Sequence, residues 1–140
     1  MMLEAANLGV SENVIFVGFL RGDDLNAVYK AADLFVMPSV SEPFGITPLE
    51  SIIAGTPVLI SKQSGVSEVL AHALKTDFWD VEDITNKILG VISHRSLWET
   101  LWKNSRQEIE KVTWDAASKK CIDYYSKVMS TCDNIDVHLV

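Results

Sequence analysis

The sequence predicts an α/β fold built on an open parallel sheet. The runs 14–18 (Val-Ile-Phe-Val-Gly), 34–38 (Leu-Phe-Val-Met-Pro) and 57–61 (Pro-Val-Leu-Ile-Ser) are apolar at successive positions instead of alternating. Strands covered on both faces read that way. Helical spacing separates the second and third runs from what precedes them. Strand, helix, strand, helix, strand within about fifty residues is the repeat of an open sheet with right-handed crossovers.

Taken in order, residues 2–9 read as a helix, where an open α/β domain ordinarily begins with a strand. The first βα unit is therefore expected to be missing, with Met1 an internal start, an expression boundary or a truncation. After the first strand run, Leu25, Val28, Tyr29 and Ala32 recur at three- and four-residue spacing behind Asp23 and Asp24, which suit a helix N-terminus. The next helix spans about 45–54, with Pro48 tolerated in its first turn and Gly55 placed for the left-handed C-terminal position. A short helix at 66–71 and an extended piece at 74–78 follow. Further helices open at Asp80, near Ser96 and at Thr113. Leu97 with Leu101, and Trp98 with Trp102, fall four residues apart and are expected to pack that helix against its neighbours. One domain over 1–130 with a frayed tail over 131–140 is the expected organisation.

A chain of 140 residues suits a single core. With 48% apolar and 22% charged residues it lacks the bias of disordered chains. A net charge of −7 argues against nucleic-acid binding, which needs clustered Lys and Arg. No run approaches the roughly twenty apolar residues of a membrane span, and no basic leader precedes an apolar block, so a cytoplasmic location is expected. Cys121 and Cys132 lack zinc-site spacing and are expected to be reduced packing thiols. His72, His94 and His138 are scattered and expected at the surface, and no metal site is expected.

In open parallel sheets ligands bind beyond the carboxyl ends of the strands, here the loops leaving Gly18, Met37 and Ile60. The middle loop, 38–50, reads Pro-Ser-Val-Ser-Glu-Pro-Phe-Gly-Ile-Thr-Pro-Leu-Glu. It puts Glu42 just before a helix, Gly45 where backbone must come close to something, and Glu50 inside the helix. The amides of Phe44, Gly45, Ile46 and Thr47 would face the loop side, where the helix dipole adds positive potential suited to a diphosphate. Glu42 reads either as a solvated carboxylate or as a ligand group. Glu50 reads either as an exposed helix residue or as an acceptor for two ribose hydroxyls.

Two glutamates with seven residues between them, Phe-Gly inside that interval and Ala-Gly-Thr-Pro-Val after it resemble the signature of glycosyltransferase family 4, of the GT-B fold. The run 16–19 (Phe-Val-Gly-Phe), the segment 29–39 and the segment 64–70 (Ser-Gly-Val-Ser-Glu-Val-Leu) support the likeness, and a weaker match continues through Thr113, Trp114 and Asp115. The resemblance covers roughly residues 8 to 128.

It implies a Rossmann-like open parallel sheet with flanking helices, the C-terminal, nucleotide-sugar-binding half of a retaining hexosyltransferase. The donor, a UDP-sugar or GDP-sugar, would lie in a cleft against an N-terminal acceptor domain that this chain lacks. Carried over by position, Glu50 would hold the ribose hydroxyls, and Glu42 would face the transferred hexose as the catalytic residue. The amides of Phe44, Gly45, Ile46 and Thr47 would meet sugar and diphosphate, and the loop with Gly18 and Arg21 would meet the base. The family works without a metal or other cofactor, using an Arg and a Lys from the first βα region. Neither Arg21 nor Lys62 matches that pair, so the chain alone is expected to be inactive. The usual Gly-Gly after the third strand reads Ser64-Gly65, and a later Gly-Leu step reads Ala73-Leu74. An alternative is a non-catalytic remnant or interaction module, self-associating through apolar surface left uncovered. An unrelated nucleotide-binding domain fits poorly, since neither a Gly-x-Gly-x-x-Gly turn nor a Walker loop occurs.

Overall fold

The computed structural model describes residues 1–132. Its centre is a parallel sheet of β1 (Phe35–Met37), β2 (Val58–Ser61) and β3 (Leu74–Thr76) in the order β1-β2-β3. Phe35 pairs with Val58 and Met37 with Ile60 on one side, and Leu59 with Leu74 and Ser61 with Thr76 on the other. All four residues of β2 are buried. This is the both-faces-covered strand that its unbroken apolar run predicts.

The crossover from β1 to β2 is α3 (Ile46–Ala54), which packs on both strands and against α2 (Gly22–Ala31) and α5 (Arg95–Ile109). Gly55 closes α3 at φ 109°, a left-handed conformation in which the N–H of Gly55 reaches the carbonyls of Ser51 and Ile52. The adjoining Thr56 hydroxyl donates to the Tyr29 carbonyl and so ties the end of α2 to the turn before β2. Helix α4 (Val81–Ser93) opens as predicted at Asp80, whose carboxylate accepts from the Asp83 amide at 2.9 Å. Thr113 likewise accepts from the Ala116 amide at 3.1 Å, at the start of α6 (Trp114–Cys132). The core gathers Ile52, Val58, Ile60, Val66 and Leu70, with Phe35, Met37, Leu49 and Ile109 packed against it.

The tryptophans of α5 pack as expected. Trp98 donates from Nε1 to the Asp33 carbonyl at 2.8 Å, and its ring stacks on Trp102 at 6.1 Å and 14°. His72 and His94 are exposed. No helix among the described residues is long and apolar enough to cross a membrane.

Several expectations need correcting. The run 14–18 is not a strand: Val14 has extended dihedrals, yet no strand lies beside it, and Ile15 is 82% exposed. A strand needs a partner for its N–H and C=O groups, and no described segment supplies one. The apolar run therefore stays an exposed coil. The short helix expected at 66–71 is a 3₁₀ turn, Gly65–Glu68, and the extended piece at 74–78 shortens to β3. Cys121 is a free thiol on an exposed face of α6, not a packing residue. The expected tail, 131–140, lies outside the described residues from 133 onward, as does His138; Thr131 and Cys132 end α6. Helix α1 (Met2–Asn7) occupies the predicted place at the N-terminus.

Two adjacent isoleucines test the core. Ile52 is fully buried and Ile53 is 66% exposed. Ile52→Ala is expected to cost about 2–5 kcal/mol in urea unfolding, and Ile53→Ala within about 0.5 kcal/mol.

Candidate functional site

The site grows from the carboxyl end of β1, where Pro38 stops the ladder and the chain turns outward toward α3. The Ser61 hydroxyl at the end of β2 donates to the Ser39 carbonyl at 2.7 Å, pinning the first part of the loop to the sheet. Farther along, Glu42 and Ser64 form an isolated parallel bridge. The Gly65 amide donates to the Glu42 carbonyl at 2.9 Å, and the Val66 amide to the Phe44 carbonyl at 2.6 Å. The loops leaving β1 and β2 are thus laced together as one rim.

Gly45 then takes φ 91°, which L side chains rarely adopt, and a Cβ there would meet Glu42 Cγ at 3.1 Å, Met37 Cε at 3.2 Å and Val66 Cγ1 at 3.4 Å. The stem of Glu42 therefore lies over the glycine at the start of α3. Ile46 and Thr47 open that helix, and the Thr47 hydroxyl faces Met37 Sδ at 3.6 Å. None of the amides of Phe44, Gly45, Ile46 and Thr47 donates to an acceptor among the described residues. Four free N–H groups at a helix N-terminus create positive potential suited to an anion.

Glu42 and Glu50 are both half-buried, and neither carboxylate is paired among the described residues. Their surroundings differ. Glu42 stands at the rim beside Gly45, Met37 and Val66, whereas Glu50 lies within α3, close enough to Tyr29 for its charge to matter. Burial, and then the charge of Glu50, raise the Tyr29 phenol above its ordinary value. Tyr29 was legible in the sequence only as a member of an apolar stripe, which gives no sign of an acid nearby.

The other predicted residues stand apart. Gly18 takes φ 70° with nothing within 4 Å of a Cβ placed on it. Arg21 lays its guanidinium over the exposed Phe19 ring, 4.7 Å from the centroid. No hydrogen bond or ion pair among the described residues joins this 18–22 loop to the 38–50 loop. A cleft of about 520 Å³ runs from Phe44 to α6 and includes Glu68, Glu108, Lys111 and Lys120, but neither Glu42 nor Glu50 lines it.

The cation nearest the rim in sequence is already engaged. Lys62 pairs with Asp77 at 2.8 Å, and the Gln63 amide donates to the same carboxylate at 2.8 Å. Beyond them Asp83 accepts from Lys87 and, at 2.7 Å, from the Thr76 hydroxyl. Among the described residues no group of three His, Cys, Asp or Glu side chains could hold a metal ion.

The Lys62 hydrogen bond holds Asp77 below the usual aspartate range, and the Lys87 hydrogen bond does the same for Asp83. Carboxylates depressed in the folded state stabilise it above their unfolded pKa and lose that effect as the pH falls through the folded value. The thermal midpoint is therefore expected to drop on acidification below about pH 4, and less steeply in Asp83→Asn. Calorimetric melts across that range check it.

A family model described as glycosyl transferases group 1 matches residues 1–108. An uncharacterised glycosyltransferase of Methanocaldococcus jannaschii is 37% identical over 127 residues, covering 87% of this chain and 32% of that protein. A sulfoquinovosyl transferase of Arabidopsis thaliana is 37% identical over 112 residues, covering 76% of this chain and 22% of that protein. Sucrose-phosphate synthase from Thermosynechococcus elongatus superimposes with TM-score 0.76 at 26% identity, over 93% of this chain and 34% of that one. Anabaena HepE, solved with UDP and glucose, shares the fold at TM-score 0.74 and 23% identity, over 89% of this chain and 35% of that one. The chain thus spans about a third or less of the length of these relatives. With a parallel three-stranded sheet, flanking helices and a family match over most of its length, the chain belongs to the group 1 glycosyltransferases, whose solved neighbours share its fold.

Proposed function

We propose that this chain is the donor-binding part of a retaining glycosyltransferase of family 4, which moves a hexosyl group from a UDP-sugar or GDP-sugar to an acceptor hydroxyl. The single observation that carries the reading is the rim at β1: four unpaired amides at the N-terminus of α3, flanked by two unpaired, half-buried glutamates. Main-chain N–H groups suit a diphosphate, and carboxylates suit sugar hydroxyls, which they accept in pairs. HepE, which shares the fold, is solved in complex with UDP and glucose.

In this reading Glu50 accepts from the ribose and Glu42 from the transferred hexose. Phe44, Gly45, Ile46 and Thr47 receive the diphosphate through their amides, and the Gly18 to Arg21 loop borders the base. The sugar–phosphate bond breaks, the diphosphate leaves, and the acceptor hydroxyl enters on the same face of an oxocarbenium-like centre while its proton passes to the departing diphosphate oxygen. Oriented donors aimed at the departing charge contribute most of the assistance. Lys62 gives little, because Asp77 holds it. An acceptor domain from elsewhere completes the cleft, the transfer uses no metal, and the chain alone does not turn over. A cytoplasmic location accompanies a donor of this kind.

A non-catalytic interaction module is the second reading. Its support is the apolar coil with Ile15 82% and Phe19 80% exposed. Sedimentation as an oligomer together with no binding of UDP or GDP would favour it.

Calorimetric titration with UDP and GDP tests the first reading. Glu50→Ala is expected to weaken the preferred nucleotide about ten- to a hundredfold, as losing a hydrogen-bonded charge does. Glu42→Ala is expected to leave that affinity unchanged and to weaken only the sugar-bearing donor. Equal heats from Glu50→Ala and the unaltered chain would remove Glu50 from the site.

A further inference from the structure

Gly65 has no side chain, and the loop that carries Glu42 fills the space where one would stand. A Cβ on Gly65 would lie 2.1 Å from the Pro43 carbonyl oxygen, 2.9 Å from the Pro43 carbonyl carbon and 3.1 Å from Phe44 Cα. All three are backbone atoms, so no change of rotamer relieves the overlap. Gly65 is not among the glycines with positive φ. Close approach of two backbones, not conformational freedom, is what calls for glycine here.

That approach brings in the two hydrogen bonds of the rim, Gly65 N–H to the Glu42 carbonyl at 2.9 Å and Val66 N–H to the Phe44 carbonyl at 2.6 Å. They also fix where the neighbouring amide points. Every peptide is trans, so the N–H of a residue points opposite to the carbonyl of the residue before it. With the Phe44 carbonyl turned toward Val66, the Gly45 N–H must point away from the 64–66 segment. Pro43 brings no N–H of its own to compete. The Gly45 amide is left with no acceptor among the described residues, next to the unpaired amides of Ile46 and Thr47.

We propose that Gly65 is a positioning residue for the diphosphate. Its missing side chain lets the 64–66 segment grip the Glu42 and Phe44 carbonyls, which keeps the Gly45 amide turned away from that segment before any ligand arrives. The proposal rests on the donor-binding reading and deepens it, because it separates the two ends of the donor. Glu50 belongs to α3, and no hydrogen bond or ion pair among the described residues ties it to the 64–66 segment, so the nucleoside end is expected not to depend on Gly65. Orientation set in advance improves affinity by reducing the ordering that binding would otherwise require. Of the Ser64-Gly65 pair, only Gly65 has to be glycine by this argument. The Ser64 hydroxyl is accommodated, donating to the Ser61 carbonyl at 2.7 Å.

The test titrates the chain and its Gly65→Ala variant with UDP and GDP, and with the matching nucleoside monophosphates. Gly65→Ala is expected to raise the Kd of the preferred diphosphate about ten- to a hundredfold and to leave that of the monophosphate unchanged. Unchanged diphosphate affinity, or equal losses for both ligands, overturns the positioning role. An unaltered chain that binds neither diphosphate removes the donor-binding reading instead. Should Gly65→Ala fail to fold, amide hydrogen exchange on the unaltered chain decides. The Gly65 and Val66 amides are expected to be protected without ligand, and the Gly45 amide, which has no acceptor among the described residues, to exchange faster than those two until the diphosphate slows it. Free exchange at Gly65 and Val66, or no slowing at Gly45 when the diphosphate binds, overturns the proposal.

Discussion

Strand β2 is the constraint on which the rest of this structure depends. It is buried along its whole length and pairs in parallel on both sides, so its position is set by two ladders at once. Everything at the candidate rim is fastened to it or to the loop that leaves it. Ser61 holds Ser39, Ser64 bridges Glu42, and Gly65 and Val66 take the carbonyls of Glu42 and Phe44. A loop carrying two prolines, Pro38 and Pro43, has few amides of its own to close it. The second loop provides the closure, and the first is thereby rigid enough to present unpaired groups.

Presenting unpaired groups costs stability, since free amides and half-buried carboxylates forgo partners that most buried polar atoms find. The rim collects several such groups around a glycine in the left-handed region, a concentration typical of functional sites. Two pairs of charges elsewhere on the carboxyl side of the sheet are matched instead. Lys62 with Asp77, and Lys87 with Asp83, form a closed network beside β3. The contrast separates groups engaged in holding the fold from groups left available to a ligand.

Much of the architecture was legible in the sequence because its signals are local. Gly55 closing α3, Asp80 opening α4 and the unbroken apolar run of β2 each depend on a few adjacent residues and stood where they were expected. The run 14–18 looked equally strand-like and was not one, because an apolar run reports that a segment suits a sheet and says nothing of whether a partner lies beside it. Of the residues singled out for the site, Glu42, Phe44, Gly45, Ile46, Thr47 and Glu50 share one loop and helix. Gly18 and Arg21 stand in a loop with no bond to it.

By itself the sequence determined the alternation of strands and helices from α2 onward, the helix ends and the loop on which the acids and amides would sit, since each is written in short-range pattern and backbone preference. Only the tertiary structure decided that Lys62 is held by Asp77, that Tyr29 feels Glu50, and that Gly65 lies against the Pro43 carbonyl. These relations join residues 15, 21 and 22 positions apart, brought together by the stacking of parallel strands and their crossover helices. Spacing along the chain does not encode them, and the availability of each group for binding follows from them.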